Sequence, residues 1–207
     1  MKQKRRKTAK QTRFSANKRR TFRICLRKKV RNLTKSQRSK PQTERFLGLD
    51  LSLSPGLAVI DVTNRIPTLI YAGSIATTSD DSDAVRSEAV AAFISTNAFR
   101  FRLFDAIIRE DFLSGRNKRA TQTIFSAWAA ADRALNAYGL RVDAEINGAT
   151  VKRIITGNGK AEKAEVADAV RKILRLPDDY VWAKGNDDSD AAAVVLAWLI
   201  REGKIDI

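Results

Sequence analysis

The chain of 207 residues has no histidine and a single cysteine, Cys25. One cysteine excludes a disulfide framework within the chain and a thiolate metal cluster. The missing histidines exclude a Ser-His-Asp triad, a histidine zinc site and an imidazole proton shuttle. A metal held here has oxygen ligands, and a catalytic acid or base is a carboxylate, a lysine, a tyrosine or water. No apolar run approaches the roughly 18 residues of a membrane-spanning helix. What the chain does have is a hydrophobic fraction of 43%, enough for one packed core, and a formal net charge of +16. Such a charge points to a polyanion, nucleic acid before anionic membrane.

Acids are scarce in one place only. Residues 1–45 hold 19 Lys and Arg against one acid, Glu44, a formal +18, whereas the other 162 residues hold 20 basic and 22 acidic side chains, a balance of −2. The basicity belongs to an N-terminal arm. Like charges repel and bury little, so residues 1–45 are expected to be largely disordered alone, with helix over residues 21–33 on binding nucleic acid. Phe14, Phe22, Ile24 and Leu26 are interleaved with the charges. An organellar transit peptide is not expected, because the opening KQKRRKTAKQ has no amphipathic apolar face.

Residues 46–207 read as a single α/β domain. RFLGLDL (45–51) alternates and ends in Asp50, Ser54-Pro55-Gly56 signals a turn, and LAVIDV (57–62) resumes the strand pattern. A third strand is predicted over residues 68–76. Residues 83–98 have helical spacing behind the Ser79-Asp80-Asp81-Ser82 capping cluster. FDAIIR (104–109) is a short strand running into Glu110 and Asp111, and residues 117–138 form an alanine-rich helix with Ile124, Trp128, Ala131 and Leu135 on one side. Residues 142–146 are a further strand, and 151–156 a short apolar piece before Gly157-Asn158-Gly159. Helices are predicted over 160–174 and about 189–201, giving the order β-β-β-α-β-α-β-α-α.

The acids of this domain stand at element ends. Asp50 closes one strand, Glu110 another, and Asp187, Asp188 and Asp190 mark the entry to the last helix. A solitary buried charge is costly unless paired or bound to a cation. In a mixed sheet these positions converge, with no histidine and no run of lysines nearby. Converging carboxylates become favourable around Mg²⁺ or Mn²⁺, hard ions that take oxygen ligands.

In these residues the chain resembles the RuvC family of Holliday junction resolvases, within the RNase H-like superfamily. FLGLDLSLSPGLAVIDV resembles the family's opening hairpin with its first aspartate, AIIREDFL its glutamate strand, VKRIITGNGKAEKAEVADAVRKIL its lysine segment and following helix, and NDDSDAAAVVLAWL its closing D-x-x-D helix. The resemblance implies an RNase H-like fold, a five-stranded mixed sheet flanked by helices, preceded by the basic arm. It also implies a divalent-metal-dependent endonuclease that resolves four-way and other branched DNA. The implied catalytic and metal-binding set is Asp50, Glu110, Asp187 and Asp190, with Asp188 as the alternative to Asp187.

The implied reaction is two-ion hydrolysis with Mg²⁺, for which Mn²⁺ substitutes, and Asp50 bridging the ions. Implied DNA contacts are Lys152 and Lys163, with Lys160 as an extra phosphate contact and Phe112 or Leu113 in the place of the family's aromatic residue after the glutamate. The arm, including Arg5, Arg6, Arg19, Arg20, Lys28 and Lys29, adds sequence-independent affinity. A homodimer would nick paired strands, and its interface is sought on the apolar face of the 117–138 helix, including Trp128, which could equally pack on its own sheet. The expected setting is cytoplasmic, in a bacterial or phage-infected cell, and the added arm brings the chain closer to the resolvases of bacteriophages. Two rivals remain: an RNase H-like RNA-processing nuclease of the YqgF kind, and a non-catalytic basic nucleic-acid-binding protein.

Overall fold

The computed structural model describes residues 42–112, 118–183 and 185–206. The arm's expected disorder and helix, its basic residues and Leu113 lie outside the described residues. Five strands form one sheet: β1 (Thr43–Asp50), β2 (Gly56–Thr63), β3 (Ile66–Ser74), β4 (Ala106–Asp111) and β5 (Ala144–Asn147). Among the described residues the helices are α1 (Asp83–Phe101), α2 (Lys118–Asn136), α3 (Gly148–Thr156), α4 (Lys163–Ile173) and α5 (Asp187–Arg201).

The strand order is β3-β2-β1-β4-β5. The first three strands form an antiparallel meander, and β4 and β5 run parallel to β1. The pleat sorts the strand side chains between two helical layers. Phe46, Ala58, Ile60, Ile108 and Ile146 face α3, α4 and α5. Leu47, Leu49, Leu57, Val59 and Ile107 face α1 and α2. Since Phe46 and Ile108 are on the α5 face, the same alternation puts Asp50 and Glu110 there. Both lie at the C-terminal ends of parallel strands, where α/β sheets characteristically bind ligands.

Ser82 caps α1 by accepting from the Val85 amide at 3.4 Å, as the polar cluster before it suggests. Three expectations need correction. The strand begins at Thr43, so Thr43, Glu44 and Arg45 belong to the sheet and not to the arm: Arg45 donates to both Asp61 oxygens at 2.7 Å, and Glu44 pairs with Lys204 at 2.7 Å. The apolar piece after β5 is a helix, α3, because the Asn147 side chain caps it through the Ala149 amide at 3.0 Å. Finally, α4 starts at Lys163, and Lys160 lies in the preceding turn.

The last helix presses closely onto the sheet. A β-carbon at Gly48 would overlap the Ala191 carbonyl oxygen and a Val195 methyl, and one at Gly56 would overlap the backbone of Asp187. The small residues of α5, Ala191, Ala192 and Ala193, are fully buried against this surface. Gly48→Ala is therefore expected to destabilise the domain by about 1–3 kcal/mol through overpacking, read as a lower urea midpoint. An unchanged midpoint would show that α5 is not seated on β1 in this way.

Candidate metal centre and nuclease site

Carboxylates from three elements meet at the C-terminal edge of β1 and β4. Asp50 ends β1 and Glu110 stands near the end of β4, and the last paired residues of those strands are Leu49 and Arg109, which makes the two acids neighbours on adjacent strands. Asp187 and Asp190 are on the first turn of α5. Three residues apart, they share one helix face. One ligand oxygen each from Asp50, Asp187 and Asp190 lies within 4.8 Å of the others. Glu110 lines the same cleft, of about 270 Å³, with Asp50, Asp190, Gly148, Val151, Lys152 and Lys163.

Asp188, the alternative ligand, points elsewhere. It is 3% exposed, and its two oxygens accept from the amides of Ala183 and Ser189 at 3.0 and 2.9 Å. One residue along a helix turns the side chain by about 100°, so Asp188 cannot share the face of Asp187 and Asp190. Its carboxylate instead ties the preceding loop to the positive end of α5.

The cluster also contains a lysine, one of the two that the family resemblance implies as DNA contacts. Lys163, the first residue of α4, donates to Asp187 at 2.8 Å and to the Gly185 carbonyl at 3.2 Å, and it pairs with Asp190 at 3.0 Å. The expectation is of acids with no run of lysines nearby, and this single lysine reaches them from the start of α4. Lys152, on α3, lines the cleft and donates to the Ala161 carbonyl at 2.8 Å. Lys160 is exposed and is not among the residues of the cleft. Phe112 is half-buried just beyond β4. Gly148 is the residue that sequence reasoning missed: a β-carbon there would overlap the Glu110 carboxylate. Its signal was an inconspicuous Asn-Gly pair at a strand-to-helix junction.

The electrostatics show a site that is short of positive charge. Burial pushes Asp50 up to about 8, helped by Glu110, Asp190 and Asp187 and opposed by Lys163. Burial likewise pushes Glu110 up to about 6, with Asp190 adding and Lys152 and Lys163 opposing. Asp190 is raised by burial against the hydrogen bond from Lys163. Burial works against the Lys163 charge, but its hydrogen bonds to Asp187 and Asp190 hold it above the ordinary lysine value. Oxygen-donating acids crowded into a partly buried cleft suit a hard divalent cation.

Acids raised on folding stabilise the fold fully below their unfolded values, and that contribution is lost as pH rises through the folded ones. In chelator, Asp50→Asn should therefore be more stable than the unmodified protein at pH 8, by an amount on the order of a few kcal/mol. The gap should narrow at pH 5 and vanish below about pH 4. Thermal melts of both proteins across this range check it, and parallel profiles would show that Asp50 is not held under strain by its neighbours. Saturating Mg²⁺ should raise the midpoint of the unmodified protein at pH 8 by mass action.

The protein-family model of the crossover junction endodeoxyribonuclease RuvC matches residues 46–198. The RuvC of Polynucleobacter necessarius is 33% identical over 153 residues, covering 73% of this chain and 86% of its own. That of Orientia tsutsugamushi is 30% identical over 149 residues, covering 72% of this chain and 90% of its own. Among solved structures, Thermus thermophilus RuvC in complex with a Holliday junction substrate superposes with a TM-score of 0.65 at 25% identity, over 78% of this chain and 97% of that one. The matched segment spans all four carboxylates and both cleft lysines: the chain belongs to the RuvC family of crossover junction endodeoxyribonucleases.

Proposed function

We propose that this protein resolves four-way DNA junctions, and other branched DNA, by hydrolysing phosphodiesters in the cleft of Asp50, Glu110, Asp187 and Asp190. The observation that carries the proposal is the convergence of the Asp50, Asp187 and Asp190 oxygens within 4.8 Å, with Glu110 in the same cleft. These acids would hold two Mg²⁺, which Mn²⁺ could replace, with Asp50 as one of the ligands. When bound, such ions supply Lewis acidity toward an attacking water and the departing 3′ oxygen. The acids fix the line along which a phosphodiester lies. Lys152 and Lys163 bring the positive charge that lets a phosphate approach four carboxylates, and Phe112 stands beyond β4 where an unstacked base would meet it. No histidine is needed for this chemistry.

The basic arm before β1 would add affinity without sequence preference. A homodimer fits a substrate with two opposed strands to cut. Part of the expected interface on α2 is used within the chain: Ala127, Ala130, Ala131, Ala134 and Leu135 are buried, and Trp128 is half-buried against Arg109. Phe125 on α2 and Val85 on α1 remain largely exposed, and these are the side chains we assign to the contact with a second copy. Action in the cytoplasm of a bacterial or phage-infected cell goes with this reading.

Side-by-side digests of four-way junction DNA, duplex DNA and structured RNA in Mg²⁺ and Mn²⁺ test the proposal. Junction DNA should be cut in preference, and Asp50→Asn should abolish cleavage while junction binding persists. Cleavage by the variant at the normal rate would overturn the assignment, and preferential RNA cleavage would favour the RNA-processing reading. Removal of residues 1–41, which stops short of the β1 ion pairs, should flatten the dependence of log K on log salt by about 0.9 for each lost phosphate contact. An unchanged slope would show that the arm does not touch phosphates.

A further inference from the structure

Behind Glu110, on the opposite face of β4, is a buried cation. The Arg109 side chain is 8% exposed. Its guanidinium donates to Asp132 of α2 at 3.1 Å and to Glu145 of β5, and it lies 3.7 Å from the centre of the Trp128 ring. Its Nε is buried without a hydrogen-bond partner. Burying an arginine with one donor unsatisfied is a poor way to gain stability, and the best-attested use of a buried ion pair is to fix register.

Register matters at this place. β5 has four residues and stands at the edge of the sheet, so its own ladder specifies its alignment weakly. Arg109 and Glu145 are direct partners across the parallel β4–β5 pair, and the next pair is Glu110 with Ile146. Two residues further, the chain reaches Gly148, whose missing β-carbon leaves room for the Glu110 carboxylate. A slip of one residue would turn Ile146 out of the core and set a side chain against Glu110.

We propose that Arg109 is a positioning residue for Glu110. Its fork to Asp132 and Glu145, stacked on Trp128, pins β5 and the start of α3 at the one alignment that leaves the Glu110 carboxylate free to act as a ligand. The proposal rests on the reading of Glu110 as a metal-binding acid.

The test uses the full-length protein with Arg109→Met, Arg109→Lys and Glu145→Gln, the last removing only the half-exposed partner should Arg109→Met fail to fold. Mn²⁺ affinity is measured by calorimetry without DNA, and amide hydrogen exchange is followed along the sheet in chelator. Arg109→Met, or Glu145→Gln in its place, should weaken Mn²⁺ binding roughly 10-fold or more, in the range seen when partners of metal ligands are removed. Exchange should accelerate at Ile146, Asn147 and Gly148 but not in β2, and Arg109→Lys should restore part of both. Unchanged Mn²⁺ affinity with a folded variant would overturn the proposal, as would acceleration spread evenly over the sheet, which marks a merely structural role. If the unmodified protein binds no Mn²⁺, the metal reading of the site fails by itself, and the local exchange result still decides whether Arg109 holds the β5–α3 junction.

Discussion

The mutual repulsion of four carboxylates in one partly buried cleft is the constraint around which the rest of the domain is organised. Nothing in the folding of an isolated strand or helix would gather them, and each adds to the charge the others resist. Hydrophobic burial holds them together. The pleat that puts Phe46 and Ile108 into the α5 layer carries Asp50 and Glu110 to the same face, and the close seat of α5 over Gly48 and Gly56 brings Asp187 and Asp190 down to meet them. A bound divalent cation would relieve this repulsion. Lys163 supplies one positive charge between Asp187 and Asp190, which is not enough to bring Asp50 back to the ordinary carboxylate range.

Much of this was legible in the sequence because it depends on short-range patterns. Alternation in RFLGLDL and LAVIDV, broken by Ser-Pro-Gly, specifies a hairpin with Asp50 at its end, and AIIRED puts Glu110 at the end of a second strand. The order of the acids along the chain, matched to a family, then implied the cluster. What remained hidden depends on contacts between elements. α3 escaped notice because it is only nine residues long and opens on a glycine that reads as a breaker, although that glycine is there to clear Glu110. The choice between Asp187 and Asp188 needed the helix phase at its first residue, which spacing within an acid-rich run does not give. The resemblance named Lys163 but not its ion pairs with Asp187 and Asp190, which needed two helix starts to be adjacent in space. At the arm boundary, Thr43, Glu44 and Arg45 look like the end of a basic tail, and only the pairing of Arg45 with Asp61 across the hairpin makes them strand.

Buried charges of opposite sign stand back to back on β4. Arg109 and Glu110 are consecutive, so the pleat sends them to opposite faces. One side is the better provided for: Arg109 has two acids and an aromatic ring, and only its Nε is left unpaired. The other is left in deficit, with Glu110 pushed up to about 6. On the proposed reading, the face of Arg109 would hold the strand still while the face of Glu110, short of positive charge, would take a cation.

The same division of labour extends to the whole chain. Residues 46–207 carry a slight negative balance, and residues 1–45 carry +18. Without metal, a cluster of acids at the centre of the cleft opposes the very phosphate it is to cut, and two lysines at its rim only partly offset this. At physiological ionic strength charges are screened within about 8 Å, so the domain's field near its cleft is set by those few groups and not by the net charge. On the proposed function, attraction to DNA would be carried by the arm, and the acids would hold the ions at which the backbone is cut. This separation explains how a strongly basic protein can have an acidic working surface, and why its net charge alone describes neither part.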